Sequence, residues 1–165
     1  MDNRTPVPAW LEAALGRGAR VLAALQFAAP LLTRLLVGIT FFYTGQGKLH
    51  NLDRTTAFFA GLGIPFPAAN AHFIGALEFF GGACLVLGLG TRLFSGLLTC
   101  SMVVALLTAD RETLVAKLPA DVTDVSSAVL LLFLIWLVLY GPGVLSADYL
   151  IGRALSRKEE KPSEA

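Results

Sequence analysis

The stretch FIGALEFFGGACLVLGLGT, residues 73–91, is apolar along its length apart from Glu78 and the closing threonine. A helix of about 20 mostly apolar residues spans the hydrocarbon core of a bilayer, because it satisfies every backbone N–H and C=O within the segment. A charged side chain at that depth costs about 2.5–3.5 kcal/mol to insert, so it faces other helices and finds a partner there. The stretch therefore predicts a membrane-spanning helix with a buried acidic group.

Apolar runs of similar length lie on both sides of this one. The stretch belongs to a run over 71–90, and the others cover 30–49, 93–109 and 125–140. The chain contains 55% hydrophobic and 15% charged residues, with a mean hydropathy of +0.68, which excludes an ordinary soluble domain of this length. We predict an all-α fold, an integral membrane four-helix bundle over residues 30–152.

The two ends of the chain differ from this bundle. Residues 1–29 predict a cytoplasmic, interfacial segment, because 8–26 place apolar residues at helical spacing near two arginines, which is typical of an amphipathic helix on lipid headgroups. An extension of the first spanning helix is an equally good interpretation. The final SRKEEKPSEA is charged and has no apolar anchor, so residues 153–165 are predicted to be a disordered cytoplasmic tail.

The distribution of Lys and Arg predicts the orientation of the bundle. With the N-terminus on one side, that side collects nine of the 13 basic residues, and the opposite side collects Lys48, Arg54, Arg111 and Lys117. The side with more Lys and Arg is normally cytoplasmic, so both termini are predicted to be cytoplasmic. The formal net charge of +1 gives no indication of a nucleic-acid partner, and the lipid bilayer is the partner that the composition implies.

The neighbours of Glu78 on its helix are small. Gly75, Gly81 and Gly82 lie three or four residues away, and small residues let another helix approach closely. The first helix has a similar face with Gly38 and Gly45. These two faces are predicted to meet.

Two polar clusters follow from the predicted depths of the charges. Arg34 enters from the opposite side of the membrane, on the order of 14 Å from Glu78, too far for a comfortable ion pair. The first helix places Lys48 nearer, so an outer cluster is expected. Its members are Glu78, Lys48, Tyr43 and Gln46. An inner cluster is expected to form ion pairs among Arg34, Arg92 and Asp148.

These charges allow more than one interpretation. Buried ionic groups often only fix helix register, whereas intramembrane ionisable residues are commonly functional. An unpaired Glu78 would instead carry a proton and donate a hydrogen bond to a quinone or carbonyl ligand. His50 and His72 close the outer ends of two helices without further ligands at regular spacing, so no metal site is predicted.

Five segments in this order resemble the DoxX family. They are FFYTGQGKL, FFAGLGIPFP, GALEFFGGACLVLGLGTR, MVVALLTA and YGPGVLSAD, and the resemblance covers about residues 31–150. It implies a small four-helix protein of the bacterial inner (plasma) membrane. The positions characteristic of the family fall here on Arg34, Gly45, Lys48, Glu78, Gly81, Gly82, Arg92, Gly141, Pro142, Gly143, Ser146 and Asp148. Gln46 stands where many members have His, which argues against haem or metal binding there.

The resemblance implies a redox setting, because the family is named after a subunit associated with thiosulfate:quinone oxidoreductase. One hypothesis is an accessory subunit of a quinone-linked membrane complex that holds a quinone or other isoprenoid lipid beside Glu78, in a pocket that aromatic residues of the first outer loop close. The alternative is a non-catalytic membrane anchor or scaffold, without a pocket, whose charges only staple the helices. Both imply a protein partner or a homo-oligomer, and both leave open whether the chain is an enzyme.

Overall fold

The computed structural model describes residues 16, 19–20 and 26–159, and within them the fold is entirely helical, which confirms the all-α prediction. Helices are numbered here within the described residues. They are α1 (Ala28–His50), α2 (Leu52–Gly61), α3 (Pro67–Leu87), α4 (Thr91–Leu107), α5 (Arg111–Lys117), α6 (Ser126–Tyr140) and α7 (Ala147–Glu159), with a 3-10 turn at Val122–Asp124.

The long helices form a closed arrangement. Helix α1 packs on α3, α3 on α4, α4 on α6, and α6 back on α1, while the short α2 lies against α3. The buried core inside this arrangement is apolar. Its members are Val37, Phe41, Leu85, Leu98, Met102, Leu134 and Leu137. Many large apolar side chains point outward instead, among them Leu32, Leu36 and Leu139, as expected of helices that contact lipid.

Two of these helices, α1 and α3, are long and apolar enough to cross a membrane. Helix α4 joins them as a third candidate if it is taken together with α5, from which it is bent by 76°. Helix α6 is apolar but has only 15 residues, about 22 Å at 1.5 Å per residue against a hydrocarbon core of about 30 Å. The protein is therefore a helical membrane protein, and four complete crossings stay a prediction.

Glycines bring α1 and α3 into backbone contact. A Cβ on Gly45 would lie 2.8 Å from the carbonyl carbon of Glu78, and a Cβ on Gly82 would lie 2.7 Å from the carbonyl oxygen of Gly38. Real Cβ atoms essentially never come within 3.0 Å of another heavy atom, so only glycine allows this approach. The predicted meeting of the two glycine faces is confirmed, and it sets the position of Glu78 relative to α1.

The chain ends differ from the prediction where they are described. Helix α7 continues to Glu159, so the disorder predicted for 153–165 is corrected over 153–159. Residues 153–159 include Ala, Leu, Arg and Lys, which favour helix. They also continue the first part of α7, which is anchored through Asp148. The predicted interfacial helix over 8–26 lies outside the described residues except at four positions, and 160–165 lie outside them altogether.

Candidate functional site

Glu78 lies in the middle of α3, with only 1% of its side chain exposed. Its Oε1 atom accepts a hydrogen bond from the Nζ of Lys48, which lies in the last turn of α1, so the two side chains form an ion pair between these helices. Lys48 retains 31% exposure. Of the four residues predicted for the outer cluster, the structure brings these two into direct contact.

The second carboxylate oxygen of Glu78 has no partner among the described residues. Oε2 is buried and accepts no hydrogen bond, although an acceptor left unsatisfied in this way costs about 1–3 kcal/mol and more when it is charged. Buried polar groups in native proteins are nearly always hydrogen-bonded. Within the described residues, Oε2 is therefore the one oxygen of the buried pair that is left without a hydrogen bond.

A cavity lies directly beside Glu78. Its volume is about 450 Å³, and α2, α3, α4 and the segment between α2 and α3 surround it. Most of its lining is apolar, including Phe58, Phe59, Phe73 and Leu97. Lys48 and Glu78 supply its ionic corner. An apolar cavity of this size with a few convergent polar groups is the usual form of a small-molecule site.

Tyr43 and Gln46 do not take part in this cavity. The side chain of Tyr43 is 65% exposed and lies edge-on to Phe42, and Gln46 is half-buried. Neither lines the cavity or bonds to Lys48 or Glu78 in the described structure. The physical reason is rotation: at 100° per residue, two or five positions along α1 turn a side chain well away from the direction of Lys48.

Helix α4 supplies polar groups to the cavity that the sequence reasoning did not include. Cys100 and Ser101 line it opposite α3. A signal for them exists, because α3 and α4 are antiparallel helices joined through the short Gly88–Gly90 turn. Glu78 lies ten residues before Gly88 and Cys100 ten residues after Gly90, so both lie about 15 Å from the turn and at the same level.

The inner cluster is organised around backbone groups. Arg34 is 2% exposed, and its two terminal nitrogens donate hydrogen bonds to the carbonyl oxygens of Pro142 (2.8 Å) and Leu145 (2.7 Å). These carbonyls belong to the turn between α6 and α7. A buried arginine thus holds that turn against α1, since its guanidinium group presents several donors in a fixed fork.

Asp148 holds the start of α4 in a similar way. Its carboxylate accepts hydrogen bonds from the amides of Gly90 (2.7 Å) and Thr91 (3.0 Å), which are otherwise unsatisfied donors at a helix N-terminus. Arg92 is exposed and its guanidinium group lies over Gly141.

No ion pair within 4.0 Å links Arg34, Arg92 and Asp148 in the described part of the chain. The terminal nitrogens of Arg34 and the carboxylate of Asp148 bond to backbone carbonyls and amides rather than to one another, and the Nε atom of Arg34 is buried without a partner among the described residues.

The two histidines are exposed at the helix ends and bond within their own helices. The Nδ1 atom of His50 lies 2.9 Å from the carbonyl oxygen of Gln46, and that of His72 lies 2.9 Å from the carbonyl oxygen of Ala68. Across the described residues, no three His, Cys, Asp or Glu side chains are close enough together to hold a metal ion. The chemistry available at the site is therefore that of the Lys48–Glu78 pair and the cavity.

The fold and the site define a class of protein: an all-helical membrane protein with a buried Lys–Glu pair beside an apolar cavity. The DoxX family model matches residues 29–111, half of the chain, and the chain belongs to the DoxX family. The match contains α1 to α4, and with them Lys48, Glu78 and the cavity, whereas α6, α7 and Asp148 lie beyond it.

One curated relative is a Bacillus subtilis (strain 168) protein named "Putative oxidoreductase CatD", which is 35% identical over 78 residues. The matched region makes up 47% of this chain and spans 57% of the length of that relative. No solved structure matches the chain.

Proposed function

We propose that this DoxX-family protein is an accessory subunit of a quinone-linked membrane redox complex that holds a quinone or other isoprenoid lipid in the cavity beside Glu78. The observation that carries the proposal is the buried carboxylate of Glu78, which lines an apolar cavity with one oxygen unpaired. The polar head of the ligand would contact Lys48 and Glu78, and its apolar tail would contact the aromatic and aliphatic walls.

The cavity favours this function over a purely structural role for the pair. A staple between α1 and α3 requires only the contact between Nζ and Oε1, and a bundle that only anchors a partner needs no internal space. Here the ion pair lies at the edge of about 450 Å³ of apolar space. This space is partly open to the surroundings of the bundle and is of the size of a small-molecule site.

The walls suit an isoprenoid chain. Phe58 and Phe59 of α2 and Phe73 of α3 line the cavity, and such walls hold a branched apolar chain by van der Waals contact. The oxidoreductase name of CatD supports the redox setting. We place the protein in the bacterial inner (plasma) membrane with both termini in the cytoplasm, and in contact with a protein partner or a second copy.

Native mass spectrometry of protein extracted in mild detergent tests the proposal. Wild-type protein should carry a stoichiometric quinone or isoprenoid mass, and Glu78→Gln should lose it while inserting in the membrane normally. Glu112→Gln, on the exposed surface of α5, makes the same chemical change away from the cavity and should retain the ligand. Wild-type protein without ligand, or full retention by Glu78→Gln, would overturn the proposal.

The anchor or scaffold function makes the opposite prediction in the same experiment. The ion pair also ties α1 to α3, so under that function Glu78→Gln would lower thermal stability and recovery of a co-purified protein together. Wild-type protein that arrives without a small molecule but with a defined partner would favour the scaffold.

A further inference from the structure

The polar corner of the cavity offers both a free acceptor and free donors. The Glu78 carboxylate is paired with an ammonium group and therefore only accepts hydrogen bonds. Its Oε2 atom accepts none from the described residues. The Lys48 ammonium has three N–H donors, and its one side-chain partner in the described structure is Oε1 of Glu78. A ligand atom that satisfies this corner has to donate one hydrogen bond and accept another.

A hydroxyl group meets that requirement, and a carbonyl group does not. A hydroxyl donates its hydrogen to Oε2 of Glu78 while its oxygen accepts from Nζ of Lys48. A quinone carbonyl accepts from Lys48 but leaves Oε2 unpaired and places two acceptor oxygens against each other. We propose that the site selects the hydroxyl-bearing form of its ligand, so that a quinol binds more tightly than the corresponding quinone. This inference rests on the proposed function.

Other polar groups around the cavity do not cancel this preference. The amide nitrogen of Asn70 donates one hydrogen to the carbonyl oxygen of Pro65 (2.7 Å), and its second hydrogen and its oxygen serve either form of the ligand. The hydroxyl of Thr108 donates to the carbonyl oxygen of Val104 (2.7 Å). The hydroxyl of Ser101 lies on the α4 side and both donates and accepts, so it serves either form of the ligand. The discrimination therefore comes from Glu78.

The size of the preference follows from leaving one buried charged acceptor unpaired. We expect the dissociation constant of the quinol to be about tenfold lower than that of the quinone. Binding that favours the reduced form by tenfold raises the two-electron midpoint potential of the bound couple by about 30 mV relative to the free couple. The site would therefore retain the quinol longer than it retains the quinone.

Anaerobic titration of the purified full-length protein in detergent tests this inference with three probes: decyl-benzoquinone, its quinol, and farnesol as an isoprenoid alcohol without redox chemistry. The quinol should bind about tenfold more tightly than the quinone. Glu78→Gln should remove the difference, since its amide donates to a carbonyl, and Glu112→Gln should keep it. Farnesol binding as tight as that of the quinol would support the hydroxyl requirement and assign the ligand to isoprenoid alcohols.

The outcomes separate the inference from the function on which it rests. Equal affinities, or tighter binding of the quinone by wild-type protein, would overturn the inference and leave the ligand-binding function standing. Failure of all three probes to bind would overturn both. If Glu78→Gln does not fold, potentiometric titration of the wild-type complex decides, because an unshifted or lowered midpoint potential contradicts preference for the quinol.

Discussion

Gly45→Ala is expected to destabilise the protein strongly, although it adds one methyl group. The new Cβ would lie 2.8 Å from the carbonyl carbon of Glu78 and from the carbonyl oxygen of Gly75, whereas ordinary contact begins at 3.4 Å. The obstructing atoms belong to the backbone of α3 and include the amide nitrogen of Phe79, which is closer still. The two helices would therefore have to part by more than about 0.6 Å, and overpacking of this kind costs about 3 kcal/mol.

Gly47→Ala is the matched control, since it lies two residues away in the same helix with nothing within 4 Å of its would-be Cβ. Alanine there should be neutral or stabilising by about 0.5–1 kcal/mol. Thermal unfolding in detergent, followed by circular dichroism, should show a midpoint lower by roughly 6–12 °C for Gly45→Ala and an unchanged or higher one for Gly47→Ala. Equal shifts in the two variants would refute the reasoning that backbone contact fixes α1 against α3.

Two further predictions concern the polar contacts. Lys48→Met should destabilise the folded protein by about 3 kcal/mol, because it leaves Glu78 buried without its cation. Adding Glu78→Leu should restore most of the lost stability. A double variant that is no more stable than Lys48→Met in thermal unfolding would contradict the ion-pair argument. Gly88→Ala should lower the unfolding midpoint more than Gly63→Ala does. Both glycines have φ of +71°, so the backbone strain of an alanine is the same at the two positions. A Cβ on Gly88 would also lie 2.7 Å from Cζ of Arg34, whereas a Cβ on Gly63 would meet no atom within 4 Å. Equal midpoints for those two alanine variants would contradict this prediction, because they would show that the Arg34 side chain moves aside without loss of stability.

Much of this structure follows from the sequence by elementary geometry. The apolar runs predict the long helices, and the spacing of Gly45, Gly82 and Glu78 predicts which faces of α1 and α3 meet. The rise per residue excludes Arg34 as the partner of Glu78 and favours Lys48. These inferences succeed because they depend on regular helical repeats and on the cost of an unpaired charge in hydrocarbon.

The rest depends on features that a regular repeat does not contain. Depth alone placed Tyr43 and Gln46 near Lys48, but rotation around α1 points them elsewhere. The acceptors of Arg34 are carbonyl groups of an irregular turn whose path is set by Gly141 and Gly143 at positive φ, and side-chain charges say nothing about such carbonyls. The part played by α4 in the cavity follows only once the turn after α3 is known to be short.

The backbone contact between α1 and α3 also bears on how a ligand would exchange. The wall of the cavity that carries Glu78 is held against α1 by close backbone contacts at Gly45 and Gly82, whereas the walls from α2 and α4 meet it through side chains. We therefore expect movements that admit a ligand to occur in α2 and α4. The association rate would then depend on residues such as Phe58 and Phe59, and the residence time of the ligand would depend on Glu78. Substitutions could therefore change the association rate and the ligand selectivity independently.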